Sequence, residues 1–193
     1  MSTLKTANLQ HPSAASPAIV LDADGNATVA GMGLVHINTT TFSAVSSVNI
    51  DGVFSSSYDS YRLIVSGSQT QAAGSAVRIK LRSGGTSISS NYGFSYINNT
   101  TSSSVGGLTA YENWDIGAFG SGNFGQSVIE IGGPFLLGQT TGISTAGNYT
   151  GQASLYIRGL HQTDSTSFDG FSTYVQSGTI TGTIRVYGYR NEA

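Results

Sequence analysis

Residues 54–81 read FSSSYDSYRLIVSGSQTQAAGSAVRIKL, and the alternation inside this stretch decides the fold class. Tyr61, Leu63 and Val65 alternate with Arg62 and Ile64. After a small, polar link, Val77, Ile79 and Leu81 alternate with Arg78 and Lys80. A period of two places one set of side chains on a buried face and the other towards water. In the second run the division is nearly complete, apolar inward and cationic outward. The two runs are expected as a pair of strands in an antiparallel sheet with one solvated face.

The flanking sequence repeats the pattern. Upstream, residues 19–30 (IVLDADGNATVA) predict a tight hairpin. Ile19 and Leu21 lead in, Asp24-Gly25 turns, and Ala27 and Val29 lead out. The DADGN string superficially suggests a calcium loop, but its glycine comes too early and Gly33 stands where a bidentate Glu belongs. Gly31-Met32-Gly33 is expected as a joint. Residues 34–37 are expected as a short strand carrying His36. Asp51-Gly52 after Val48 and Ile50 is a second hairpin signal, and Gly84-Gly85 a third.

Downstream, Tyr92, Phe94 and Tyr96 alternate with Gly93 and Ser95. Residues 98–107 and 138–151 are polar and small and are expected as loops. Residues 127–131 and 154–160 predict strands. In the second, Leu155, Ile157 and Gly159 lie on one side and Tyr156 and Arg158 on the other. A last strand covers 179–189. The total is roughly ten short strands with turn signals about every 8 to 15 residues. The fold class is all-β: an antiparallel, jelly-roll-like β-sandwich over residues 34–193. An extended arm with a small hairpin, residues 1–33, precedes it. His11-Pro12 and Ser16-Pro17 bias the arm to extended conformations, and it is too polar to build a core of its own.

Composition agrees. Of 193 residues only 9% are charged, against about 25% in an ordinary domain. Gly counts 26 and Tyr 10, so solubility rests on hydroxyls and amides. Such a mixture favours strands and turns over helices. The net charge is −2, and the basic residues are scattered apart from Arg78, Lys80 and Arg82. That argues against nucleic acid as a partner, which calls for a basic stripe. There is no cysteine, hence no disulfide and no thiolate metal site. No run is apolar enough for a membrane span or for the core of a signal peptide, so the chain is expected to be made in a cytoplasm and not to leave by the secretory route on its own signal, without membrane insertion.

Motifs for catalysis are weak. Residues 120–125 (GSGNFG) match GxGxxG, but a strand pattern follows where a phosphate site needs a helix. His11, His36 and His161 stand apart, none with a partner at metal-ligand spacing. A Ser-His-Asp triad is a spatial arrangement, so His161 beside Asp164 leaves it open, without any GxSxG elbow to support it. Glu112 and Asp115 flank Trp114 beside Tyr111. A carboxylate pair among aromatics suits either a glycan site or a solvated loop. Tyr92, Phe94, Tyr96, Tyr111 and Trp114 are expected mainly to pack across strands. Neither catalytic residues, metal ligands nor a cofactor are expected. Contact with a partner is expected at the neighbouring loops, through Asn98, Asn99, Tyr111 and Trp114.

The opening LKTANLQHPSAASPAIVLDADGNATVAG, about a sixth of the chain, resembles the start of many tailed-phage virion proteins, commonly tail fibres. The QHPSAASPAI string is the specific part. More loosely, FSSSYDSYRLIV and the closing ITGTIRVYGYR are similar to β-sandwich modules on phage tail and fibre proteins. The resemblance implies a non-enzymatic virion structural protein, assembled in the host cytoplasm and trimeric. A short tail fibre or tail-associated attachment protein is the first expectation. Its arm, through Leu4, Lys5, Gln10, His11, Pro12, Pro17, Ile19 and Leu21, would dock on other virion proteins, tail or capsid subunits. The sandwich would face outward, towards a host surface glycan. The chain lacks the long shaft of typical fibres, which keeps a capsid cement or decoration protein as the alternative. A carbohydrate-binding module is the second.

Overall fold

The computed structural model describes residues 7–9, 12–13, 19–21, 23, 27–29, 33–70, 76–99, 102–149 and 153–191. In chain order the strands are β1 (Asn8–Leu9), β2 (Ile19–Leu21), β3 (Ala27–Val29), β4 (Leu34–Val45), β5 (Ser47–Ile50), β6 (Ser60–Gln69), β7 (Ala76–Ser83) and β8 (Thr86–Ser87). They continue with β9 (Tyr92–Asn99), β10 (Ser103–Tyr111), β11 (Trp114–Ala118), β12 (Gly125–Gly132), β13 (Thr140–Tyr149), β14 (Ala153–Gln162), β15 (Gly170–Val175) and β16 (Ile180–Tyr189). Among the described residues there is no helix.

Three sheets form. The small one has the order β1-β2-β3 and pairs with neither of the others. In it Ile19 faces Val29 and Leu21 faces Ala27, the pairing expected from the Asp24-Gly25 signal. The turn residues Asp24 and Gly25 lie outside the described residues, as do Gly31 and Met32 of the expected joint. The large sheet has eight strands in the order β10-β9-β14-β13-β12-β6-β16-β4, and the third has the order β11-β7-β15-β5 with β8 beside β7. All these named strand pairs are antiparallel. The two larger sheets pack face to face as a β-sandwich.

The core shows why. Tyr61, Leu63 and Val65 of β6, with Ile184 and Val186 of β16, meet Val77, Ile79 and Leu81 of β7, all fully buried. Each such side chain contributes about 1.5–3 kcal/mol on leaving water. The two ladders of residues 54–81 are therefore correct in period and in buried face, but they are not partners. β6 pairs with β12 and β16, β7 with β11 and β15, so they belong to different sheets that share one core. A period of two specifies the face and is silent on the neighbour.

Four further expectations need correction. Of residues 98–107, Asn98 and Asn99 end β9 and 103–107 open β10, with Asn99 opposite Ser103, and most of 138–151 is β13. Their small polar residues sit on a ladder, where backbone hydrogen bonds rather than side chains hold the strand. The short strand at 34–37 runs on to Val45, paired along β16. Asp51-Gly52 is no hairpin: Gly52 has φ +70°, but β5 before it pairs with β15, and the chain crosses to the other sheet. Asp51 instead holds Arg82, whose side chain is only 9% exposed, through Nε–Oδ1 at 2.6 Å and Nη2–Oδ2 at 3.2 Å. Gly84-Gly85 does turn β7 into β8, with φ +55° and +79°, as the hairpin signal requires.

Candidate functional site

One cleft of the described surface brings together two arginines, a carboxylate and several aromatic side chains. It has a volume of about 180 Å³ and lies where the β9–β10 hairpin meets β14, β11 and β7. Its floor is Arg158. On β14 the alternation puts Leu155 and Ile157 outside and Tyr156, Arg158 and Leu160 inside. The side chain of Arg158 is 4% exposed, and its guanidinium lies over the rings of Tyr156 and Tyr96, 5.3 and 5.5 Å from their centroids. An arginine stacks on aromatic faces because the ring quadrupole attracts the cation.

Its hydrogen bonds are incomplete. One terminal nitrogen donates to Asn98 Oδ1 and more weakly to the Ile157 carbonyl at 3.4 Å. The other stands 3.6 Å from Asp115 Oδ2, too far for a hydrogen bond. Nε is buried without a partner. Asp115 is 22% exposed and accepts from the Gly117 N–H at 2.9 Å. Burial raises its carboxyl above the usual range, and Arg158 and then Arg78 oppose the rise. Arg78, directly across the ladder from Asp115, also lines the cleft. Two guanidiniums thus meet a single carboxylate.

Two backbone features shape the aromatic wall. Gly106 lies opposite Tyr96, and a Cβ there would come 2.6 Å from the Tyr96 hydroxyl, so glycine makes room for the ring over Arg158. A bulge between Leu108 and Tyr111 adds one residue to β10, with Ala110 at φ +56°. The extra residue restores parity, and Leu108 and Tyr111 both point into the cleft. Tyr111 packs edge-on against Phe94 at 5.8 Å and stays 37% exposed at the rim.

Of the residues expected to contact a partner, Asn98 and Tyr111 line this cleft. Asn99 is exposed on β9 and lies opposite Leu155 on the outer face. Trp114 is corrected to a core residue: it is fully buried, its Nε1 donates to the His161 carbonyl at 2.8 Å, and Tyr92 packs on it. Glu112 is exposed beside the cleft, and only Asp115 of the expected carboxylate pair enters it. His36 is exposed, 2.8 Å from Thr39 Oγ1, and His161 lies half-buried against Gly93. The GxGxxG stretch leads into strand β12. Arg158, the central residue, carried no functional signal in the sequence beyond its parity with Tyr156.

Apolar side chains are exposed elsewhere as well. On the small sheet Leu9, Val20 and Leu21 are exposed, and Ile19 is half-buried. Pro12 is exposed as well. Leu4, Lys5, Gln10, His11 and Pro17 lie outside the described residues. The outer face of the large sheet carries a row running from Val105 through Ile97, Ile157, Thr145 and Val128 to Ile64, each opposite the next. Val105 is 77% exposed, and Ile143 and Leu155 flank the row, both exposed. The chain matches no protein-family model, no curated protein and no solved structure.

Proposed function

We propose that the chain is a non-enzymatic structural protein of a tailed-phage virion, a short tail fibre or tail-associated attachment protein held by its N-terminal arm. The carrying observation is the small sheet, which pairs with neither sheet of the sandwich and leaves Leu9, Val20 and Leu21 in water. Apolar side chains on so small an element are stabilised by a partner or not at all. The resemblance of the arm to the start of phage virion proteins supports the same reading. The apolar row on the large sheet supports assembly of copies, a trimer by that resemblance, and the cleft gives the sandwich a place to meet a host glycan.

The decoration-protein reading has one observation in its favour. The broad outer face of the large sheet suits lateral contact over a shell as well as it suits a trimer. Electron microscopy of labelled particles separates the two: a few copies at the tail tip, or copies spread over the head. Absence from purified particles overturns both. The arm is tested with Leu9→Asp and Leu21→Asp. Both side chains are exposed, so the sandwich should melt unchanged while incorporation into particles is lost. Normal incorporation would remove the arm from the proposal.

A further inference from the structure

We infer that the cleft between the β9–β10 hairpin and β11 binds a small ring bearing a carboxylate, an acidic sugar residue, with the acid group at Arg158 and Arg78 and the ring against Tyr111. This deepens the attachment reading and rests on it only for where such a ligand is met.

The charge count favours an anion. Arg158 and Arg78 face one carboxylate, Asp115, which burial already disposes to carry a proton. Arg158 has donors to spare: Nε is without a partner, and one terminal nitrogen is no closer than 3.6 Å to Asp115. A buried guanidinium left this way loses hydration without full compensation, and a ligand carboxylate would supply the missing acceptors, bidentate where the fork allows. Protein partners take up the acceptor-seeking groups of the molecule's other buried arginine, so this deficit is local. The fit excludes a large ligand. A volume of about 180 Å³ is below the roughly 300–1,000 Å³ of sites for drug-sized molecules, so one ring enters and a longer chain stays outside.

The wall selects a sugar over a simple acid. Phe94, Tyr96, Leu108 and Tyr111 present apolar surface, while Asn98 and the tyrosine hydroxyls present polar groups. A ligand with C–H faces and ring hydroxyls meets both, as amphipathic tyrosines do in binding loops. Tyr111 at the rim is exposed and offers its ring to the ligand.

The full chain is titrated with D-glucuronate, D-glucose and acetate, followed by NMR or calorimetry. Saturable glucuronate binding is expected, at least about tenfold tighter than glucose, the equivalent of one charge-assisted hydrogen bond. Acetate, which lacks the ring, should bind weaker than glucuronate by about the same factor. Tyr111→Ala and Arg78→Gln, neither of which removes a buried side chain, should each weaken glucuronate by about threefold or more with the folded state retained. Equal affinity for glucose overturns carboxylate recognition, and equal affinity for acetate overturns the sugar. Absence of saturation, or unchanged affinity in both variants, overturns the site. None of these results bears on whether the protein is found on particles, so the two proposals fail separately.

Discussion

Arg82 and Arg158 are both buried, both on inner strands of the sandwich, and differently provided for. Arg82 is clamped by Asp51 through two contacts, by Ser87 Oγ at 2.9 Å and by the Gly85 carbonyl. Its partners close the β7–β8 hairpin and tie it to the crossing after β5. Arg158 has two tyrosine rings within reach, one strong acceptor in Asn98 and a distant carboxylate. Burial of a guanidinium is costly in either place. Where the partners are complete the residue is architecture. Where they are incomplete beside a cavity, something outside the chain can complete them.

The sharpest test of the contrast is at the clamp. Asp51→Ala strands the Arg82 charge and should lower stability by about 3 kcal/mol, since removing one partner of a buried pair costs about 3–5 kcal/mol and half-exposed Asp51 leaves water a path. Urea denaturation measures it, and a loss well below this would erase the distinction. At the cleft, Arg158→Met with Asp115→Asn replaces both charges together. Stability should change by less than about 1 kcal/mol, because removing both charges of a poorly satisfied pair strands neither of them, while glucuronate binding disappears. The same variant should lose a pH dependence. Asp115, facing Arg158 and Arg78, has a folded pKa above its unfolded one, so the folded state holds the extra proton. The wild type therefore loses stability from this group as pH rises from the ordinary carboxylate value through the raised one, and the variant should not. The smallest effect is at the bulge. Ala110→Gly relieves a left-handed alanine but loosens the unfolded chain, a net gain of about 0.5 kcal/mol with Tyr111 left in place.

The sequence was most legible where side chains alternate by hydropathy. The ladders at Tyr61 and Val77, the Ile19–Val29 pairing and the Gly84-Gly85 turn all follow from residue type and spacing. Partnership between strands was not legible, because the pleat does not encode it. Strands built of Ser, Thr, Gly and Asn, as in β10 and β13, look like loops, since their pairing is carried by the backbone. The site was half legible. Asn98 and Tyr111 stood out by type, but β14 hides its secret in an inversion: Leu155 and Ile157 face out while Arg158 faces in. Hydropathy alone assigns those faces the other way round.

The first strand after the arm, β4, lies along β16 from Leu34 opposite Tyr189 to Val45 opposite Ile180. Traction applied to the segment before Leu34 along the strand axis strains that whole row of interstrand bonds in parallel, whereas a perpendicular tug would unzip them singly. On the proposed attachment through the arm, the load would fall along β4, the direction in which these bonds share it.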